Sequence, residues 1–186
     1  MSSQGWVSLL NDQWQNAGAG ITLNTATTAV ISPVLGGVAG KDYIIPPSEW
    51  RVGKMLKVFA SGQLSSGGTT SNLTVLLRTA TPTTLSTTPA MALGTGSVTN
   101  APWHLWARIR CLAVASTGNT LETEGTMIYA NTAAPSFTTA NGGVLDLPMT
   151  SAAVPLDVNV TLQLAATLSA AFGAITCQTF FVTSWN

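Results

Sequence analysis

The chain has 186 residues, a formal net charge of zero and only 8% charged residues, while 46% are hydrophobic. That apolar content excludes a disordered chain, and the neutral balance argues against a surface built to grip nucleic acid or anionic lipid. Sparse charge also removes the repulsion that keeps copies apart, so self-association is tolerated.

The N-terminal stretch MSSQGWVSLLNDQW lacks a basic start and a long apolar run, so no signal peptide is expected, and no segment approaches the ~18 apolar residues of a membrane span. Synthesis and first folding in a cytoplasm are therefore expected. Trp6, Val7, Leu9, Leu10 and Trp14 are spaced like one face of a short helix, Ala17-Gly18-Ala19-Gly20 breaks the pattern, and a Thr-rich segment leads into a strand at Ala29-Val30-Ile31-Ser32. Residues 1–35 read as an N-terminal arm and first strand, and residues 36–186 as a β-sandwich domain. The arm, with Trp6 and Trp14, either docks on a partner or packs on its own domain, and it is expected to serve assembly more than stability.

Gly36-Gly37-Val38-Ala39-Gly40-Lys41 resembles a phosphate loop only superficially. Its spacing is one residue short, and Asp42 stands where a magnesium-binding hydroxyl belongs. After a turn at Pro46-Pro47-Ser48-Glu49-Trp50, Leu56, Val58 and Ala60 alternate with Met55, Lys57 and Phe59. Leu73, Val75 and Leu77 mark the inward face of the next strand. Such alternation is the signature of a strand buried on one side. Thr81–Thr99 is a long Thr- and Pro-containing connection with a short edge strand near Ala90–Leu93.

The most informative stretch is Asn100–Tyr129. Trp103, Leu105, Ala107, Ile109, Cys111 and Ala113 share one face, and His104, Trp106, Arg108, Arg110 and Leu112 the other. A turn at Ser116-Thr117-Gly118-Asn119 returns the chain through Leu121, which makes a hairpin. Residues 131–155 form a loop-rich region around a short strand near Val144–Leu147. Two strands close the chain, with Val158, Val160, Leu162 and Leu164 inward in one, and Ile175, Cys177, Thr179 and Phe181 in line along the other. The sum is about eight strands without a long helix, which is the pattern of an all-β, two-sheet antiparallel sandwich, with a jelly roll favoured over an immunoglobulin-like fold.

Chemistry has few carriers. The one histidine, His104, lies between two tryptophans, and no serine or cysteine sits in a nucleophile elbow. Glu122 and Glu124 share a strand face, whereas a glycosidase needs two carboxylates opposed across a cleft. Nothing has metal-ligand spacing. No catalytic residue, metal or cofactor is expected, and the protein is not expected to be an enzyme. Cys111 and Cys177 lie on apolar faces and are expected to stay reduced. Arg108 and Arg110 fall across from Glu122 and Glu124, which suggests cross-strand ion pairs or an interface that sets register. Trp106 on that face is either a sugar platform or a packing residue between subunits.

Gly53–Ser66 (GKMLKVFASGQLSS), the TVLLR strand, NAPWHLWARIRCLAV and the following EGTM resemble structural proteins of tailed bacteriophages. So do the closing Ile175-Thr176-Cys177-Gln178 strand and the Ser184-Trp185-Asn186 tail. The resemblance covers residues 44–186 and consists of packing residues. It implies a virion protein at the capsid surface, a jelly-roll decoration or minor capsid protein, with the major capsid protein and copies of itself in a homotrimer as partners. Neither nucleic acid nor membrane is an expected partner. Trp6, Trp14, Trp106, Arg108, Arg110 and Leu112 are the candidate interface residues. A tail- or fibre-associated protein, or a carbohydrate- or host-receptor-binding module, is the alternative.

Overall fold

The computed structural model describes residues 7–9, 21–32, 43–66, 71–81, 83–93, 98–114, 119–130, 142–170 and 173–185. In chain order the strands are β1 (Val7–Leu9), β2 (Ile21–Leu23), β3 (Thr28–Val30), β4 (Tyr43–Ile45), β5 (Met55–Ser66), β6 (Ser71–Thr79), β7 (Thr84–Thr87), β8 (Met91–Leu93), β9 (Val98–Ala113), β10 (Thr120–Ala130), β11 (Gly142–Ala153), β12 (Val160–Leu168) and β13 (Gly173–Trp185). Pro47–Glu49 forms a 3-10 turn, and the described residues contain no α-helix. The thirteen strands among the described residues exceed the eight expected, because five of them are three residues long and too short to show a period. One of these, β1, occupies positions that the spacing of Trp6, Val7 and Leu9 assigned to a helix.

The strands make two antiparallel sheets packed face to face, an all-β sandwich. The seven-stranded sheet has the order β1-β13-β5-β9-β10-β11 with β2 also on β13, and the six-stranded sheet has β3-β12-β6-β7 with β4 also on β12 and β8 on β6. Both β5–β6 and β12–β13 cross from one sheet to the other. The early and late parts of the chain therefore pair in both layers, β5 with β13 and β6 with β12.

Alternation places the core. Leu56, Val58, Ala60 and Leu64 of β5 are buried, as are Trp103, Leu105, Ile109 and Cys111 of β9, and they meet Leu73, Val75 and Leu77 of β6 and Val160, Leu162 and Leu164 of β12. Two inward assignments change. Val158 precedes β12 and is 54% exposed, because the strand starts only at Val160. In β13 the register shifts between Cys177 and Thr179, and this bulge turns the alternation over. Phe180 and Val182 are buried in place of Thr179 and Phe181. Tyr43 packs edge-on against Phe180 with ring centroids 4.5 Å apart and donates its hydroxyl to the Phe180 carbonyl. Burial, and secondarily the nearby Cys177, push that phenol up to about 12.

The sheet edges are managed locally. β7 and β11 close one side, where Ser86 Oγ donates to the Pro148 carbonyl at 3.1 Å and Thr150 Oγ1 to the Leu85 carbonyl. On the other side β1 and β2 cover β13, and β3 and β4 cover β12. Leu23 and Ile31 from this N-terminal region are core residues. The segment 21–32 is thus part of the sandwich, which departs from an arm serving assembly alone. Just before β5, Lys54 is buried and held by Glu49 of the 3-10 turn, Nζ to Oε2 3.1 Å.

Cys111 and Cys177 are both free and buried. They are not neighbours. Cys177 pairs with Gly62 of β5, while the Cys111 amide bonds the Lys54 carbonyl. Eight residues of strand separate those positions, roughly 26 Å at the usual rise, so the two thiols cannot join without unfolding.

Ile109→Ala should destabilise the fold by about 2–5 kcal/mol, read from urea denaturation, because the side chain is fully buried in a close-packed core. Deleting residues 1–25 should cost about 2 kcal/mol or more through loss of buried Leu23 and exposure of the β13 edge. An unchanged melting temperature in the truncated chain would contradict this.

Candidate functional site

The outer face of the seven-stranded sheet is built in rungs set by strand register. One rung runs Phe181–Phe59–Trp106–Thr126–Asp146 across β13, β5, β9, β10 and β11. The next runs Thr183–Lys57–Arg108–Glu124. A third carries Met55, Arg110, Glu122 and Ser151. On the other side of the aromatic rung lie Ser61, His104, Ile128 and Val144. All these side chains point away from the core, because they fall between the buried positions of each strand.

Four rings gather where the first rungs meet. Phe59 lies 4.9 Å from Phe181, 5.7 Å edge-on from Trp106 and 6.1 Å from His104, measured between centroids, and His104 stacks on Trp106 at 5.7 Å. Trp106 is 45% exposed. Such geometries favour aromatic pairs beyond their buried area. The rings stand at the head of an open depression of about 820 Å³ whose walls include Lys57, Arg108, Glu124, Thr126, Asp146 and Met149.

Ions flank the rings. Arg108 pairs with Glu124, and Arg110 Nη2 with Glu122 Oε1 at 2.7 Å. These are the cross-strand pairs that the hairpin spacing suggested. Both guanidiniums are about half exposed, so each pair contributes at most about 1 kcal/mol. Gly125 sits beside them where a Cβ would collide with the Trp106 carbonyl, and the β10–β11 register shifts next to it, between Thr123 and Gly125. Gly125 itself lines the depression.

Of the sequence-derived interface residues, Trp106, Arg108, Arg110 and Leu112 lie together on this face, Leu112 at its far end and 36% exposed. Trp6 and Trp14 lie outside the described residues. Sequence reasoning missed the companions of Trp106. Phe59 and His104 were visible as outward residues of β5 and β9, but only strand register brings them together, and Phe181 reaches the face only through the β13 bulge. Among the described residues no group of three or more His, Cys, Asp or Glu could hold a metal ion, and no helix is long and apolar enough to cross a membrane. No protein-family model matches the chain, and no curated protein matches it either.

His104 is the one histidine, and burial among Phe59 and Trp106 holds its pKa below the usual value of 6.5. Protonation therefore favours the unfolded chain. Stability should be full above pH 6.5 and fall as the pH drops below it toward the lower folded-state value. Denaturation midpoints between pH 7.5 and 5 should show this slope, and His104→Gln should flatten it.

Proposed function

We propose that this protein is a virion structural protein, a capsid decoration protein that binds the outer surface of a phage head and works as a homotrimer. It acts by binding rather than by catalysis. The observation that carries the reading is the outer face of the seven-stranded sheet, where a Trp-centred aromatic cluster and paired arginines stand exposed. Exposed Trp and Arg at the centre of a patch are the composition of protein-interface hot spots, and apolar groups of this size are rarely left in water without a partner. The head address rests on the resemblance of residues 44–186 to tailed-phage structural proteins, and the neutral, Thr-rich surface is compatible with a crowded shell. A tail- or fibre-associated protein would share the fold and differ only in its address. A glycan-binding module would ask Trp106 to offer an open ring face, and His104 stacked upon it speaks against that.

Gold-labelled antibody against the protein should decorate the heads of particles purified from cells producing this chain. Label confined to tails would move the address. Unlabelled particles, together with glycan-array binding abolished by Trp106→Ala, would overturn the proposal.

A further inference from the structure

We propose that the two halves of this sheet face bind one another between copies of the chain. The aromatic and cationic half of one protomer, on β13, β5 and β9, seats on the aliphatic and anionic half of the next, on β10 and β11. The inference rests on reading the face as an assembly surface, and it deepens that reading by naming the occupant and the matching halves.

The sorting of charge argues for it. The whole chain carries seven cations and seven anions. Three of each lie on this one face, divided by strand. Lys57 is on β5, with Arg108 and Arg110 on β9, whereas Glu122 and Glu124 are on β10 and Asp146 is on β11. Pairing within the protomer explains why each arginine faces a glutamate. Lys57 lies outboard of the arginines and Asp146 outboard of the glutamates. With both in place the face carries a dipole in its own plane, running across the strands. A second copy of the same face meets it favourably only with the cationic half on the anionic half, and like halves repel.

The apolar groups are sorted in the same sense. Phe181, Phe59 and Trp106 stand in the cationic half. In the anionic half Val144 and Met149 are each 65% exposed, and Met149 borders the depression below the rings. A thioether and branched methyls are good packing partners for ring edges. A contact of one half with the other leaves every protomer one half of each kind to offer, and a rotation of a third of a turn between copies closes it as the proposed trimer, with three such contacts.

The full chain at micromolar concentration and low salt should scatter light as a trimer. Lys57→Glu with Arg108→Glu should weaken self-association by about ten-fold or more, and high salt should weaken the wild type in the same direction. Adding Glu124→Arg and Asp146→Lys reverses the other half and should restore the trimer. When that quadruple variant is mixed with wild type, native mass spectrometry should find no mixed particles, because cation then meets cation.

A monomeric wild type overturns the contact, as does a trimer indifferent to Lys57→Glu and Arg108→Glu. A quadruple variant that keeps the β-sheet circular dichroism spectrum but stays monomeric overturns it too. A dimer with the expected charge behaviour keeps the contact and replaces the threefold by a twofold. A monomer that still labels phage heads would fail here and leave the virion reading standing, and a charge-dependent trimer absent from particles would do the reverse.

Discussion

One hydrogen bond ties three strands of the larger sheet together. The Trp103 indole is fully buried on β9, and its Nε1 donates to the Thr176 carbonyl on β13 at 3.2 Å, although β5 lies between the two strands. It can do so because the β5 residue beside Trp103 is Gly62, where any Cβ would collide with that carbonyl. A buried indole N–H without an acceptor would be costly, so the tryptophan, the glycine and the displaced carbonyl belong together. The β13 register slips immediately afterwards, between Cys177 and Thr179. That slip sends Phe180 to the core beneath Tyr43 and Phe181 to the outer face beside Phe59. The aromatic cluster outside therefore depends on the same stretch of β13 that receives the largest aromatic residue inside.

The two outward surfaces of the sandwich differ in kind. On the six-stranded sheet, Thr28, Thr167 and Thr74 share a rung, with the Thr28 and Thr167 hydroxyls 2.7 Å apart, and Gln163, Arg78 and Thr84 share another. Hydroxylated and amide side chains predominate in these rungs, with Ile44 of β4 half exposed beside them. The seven-stranded sheet instead concentrates rings and ions. That second surface joins apolar groups to a border of charge, the composition through which proteins hold partners.

Much of this was legible in the sequence, and the boundary is physical. Period-two alternation marks β5, β6, β9 and β10 because each is buried on one face only, so Arg108 and Arg110 could be set across from Glu122 and Glu124 beforehand, while the individual pairs wait on the register, which shifts between Thr120 and Leu121. In β7 consecutive Leu85 and Ser86 are both buried, which erases the alternation. The β11 strand runs through Pro148, which reads locally as a break. A bulge such as that in β13 adds one residue without a signature of its own, so the exchange of Phe181 for Phe180 could not be foreseen. The cluster around Trp106 draws on β5, β9 and β13, so nothing short of the pairing of three strands reveals it.

Where β1 to β4 lie bears on how the chain reaches its native state. All four close the flanks of β12 and β13, the last two strands of the chain, and Val7 is paired with Trp185. On a ribosome the segments made first have no strand to join until those made last emerge, a wait of roughly 10 s at ordinary elongation rates. The β9–β10 hairpin and its neighbours are complete before then, and the early segments can pair only late. In that interval the flanks of β12 and β13 are bare templates for any extended chain nearby, so a high local concentration of nascent copies favours mispairing as the main hazard on the way to the sandwich.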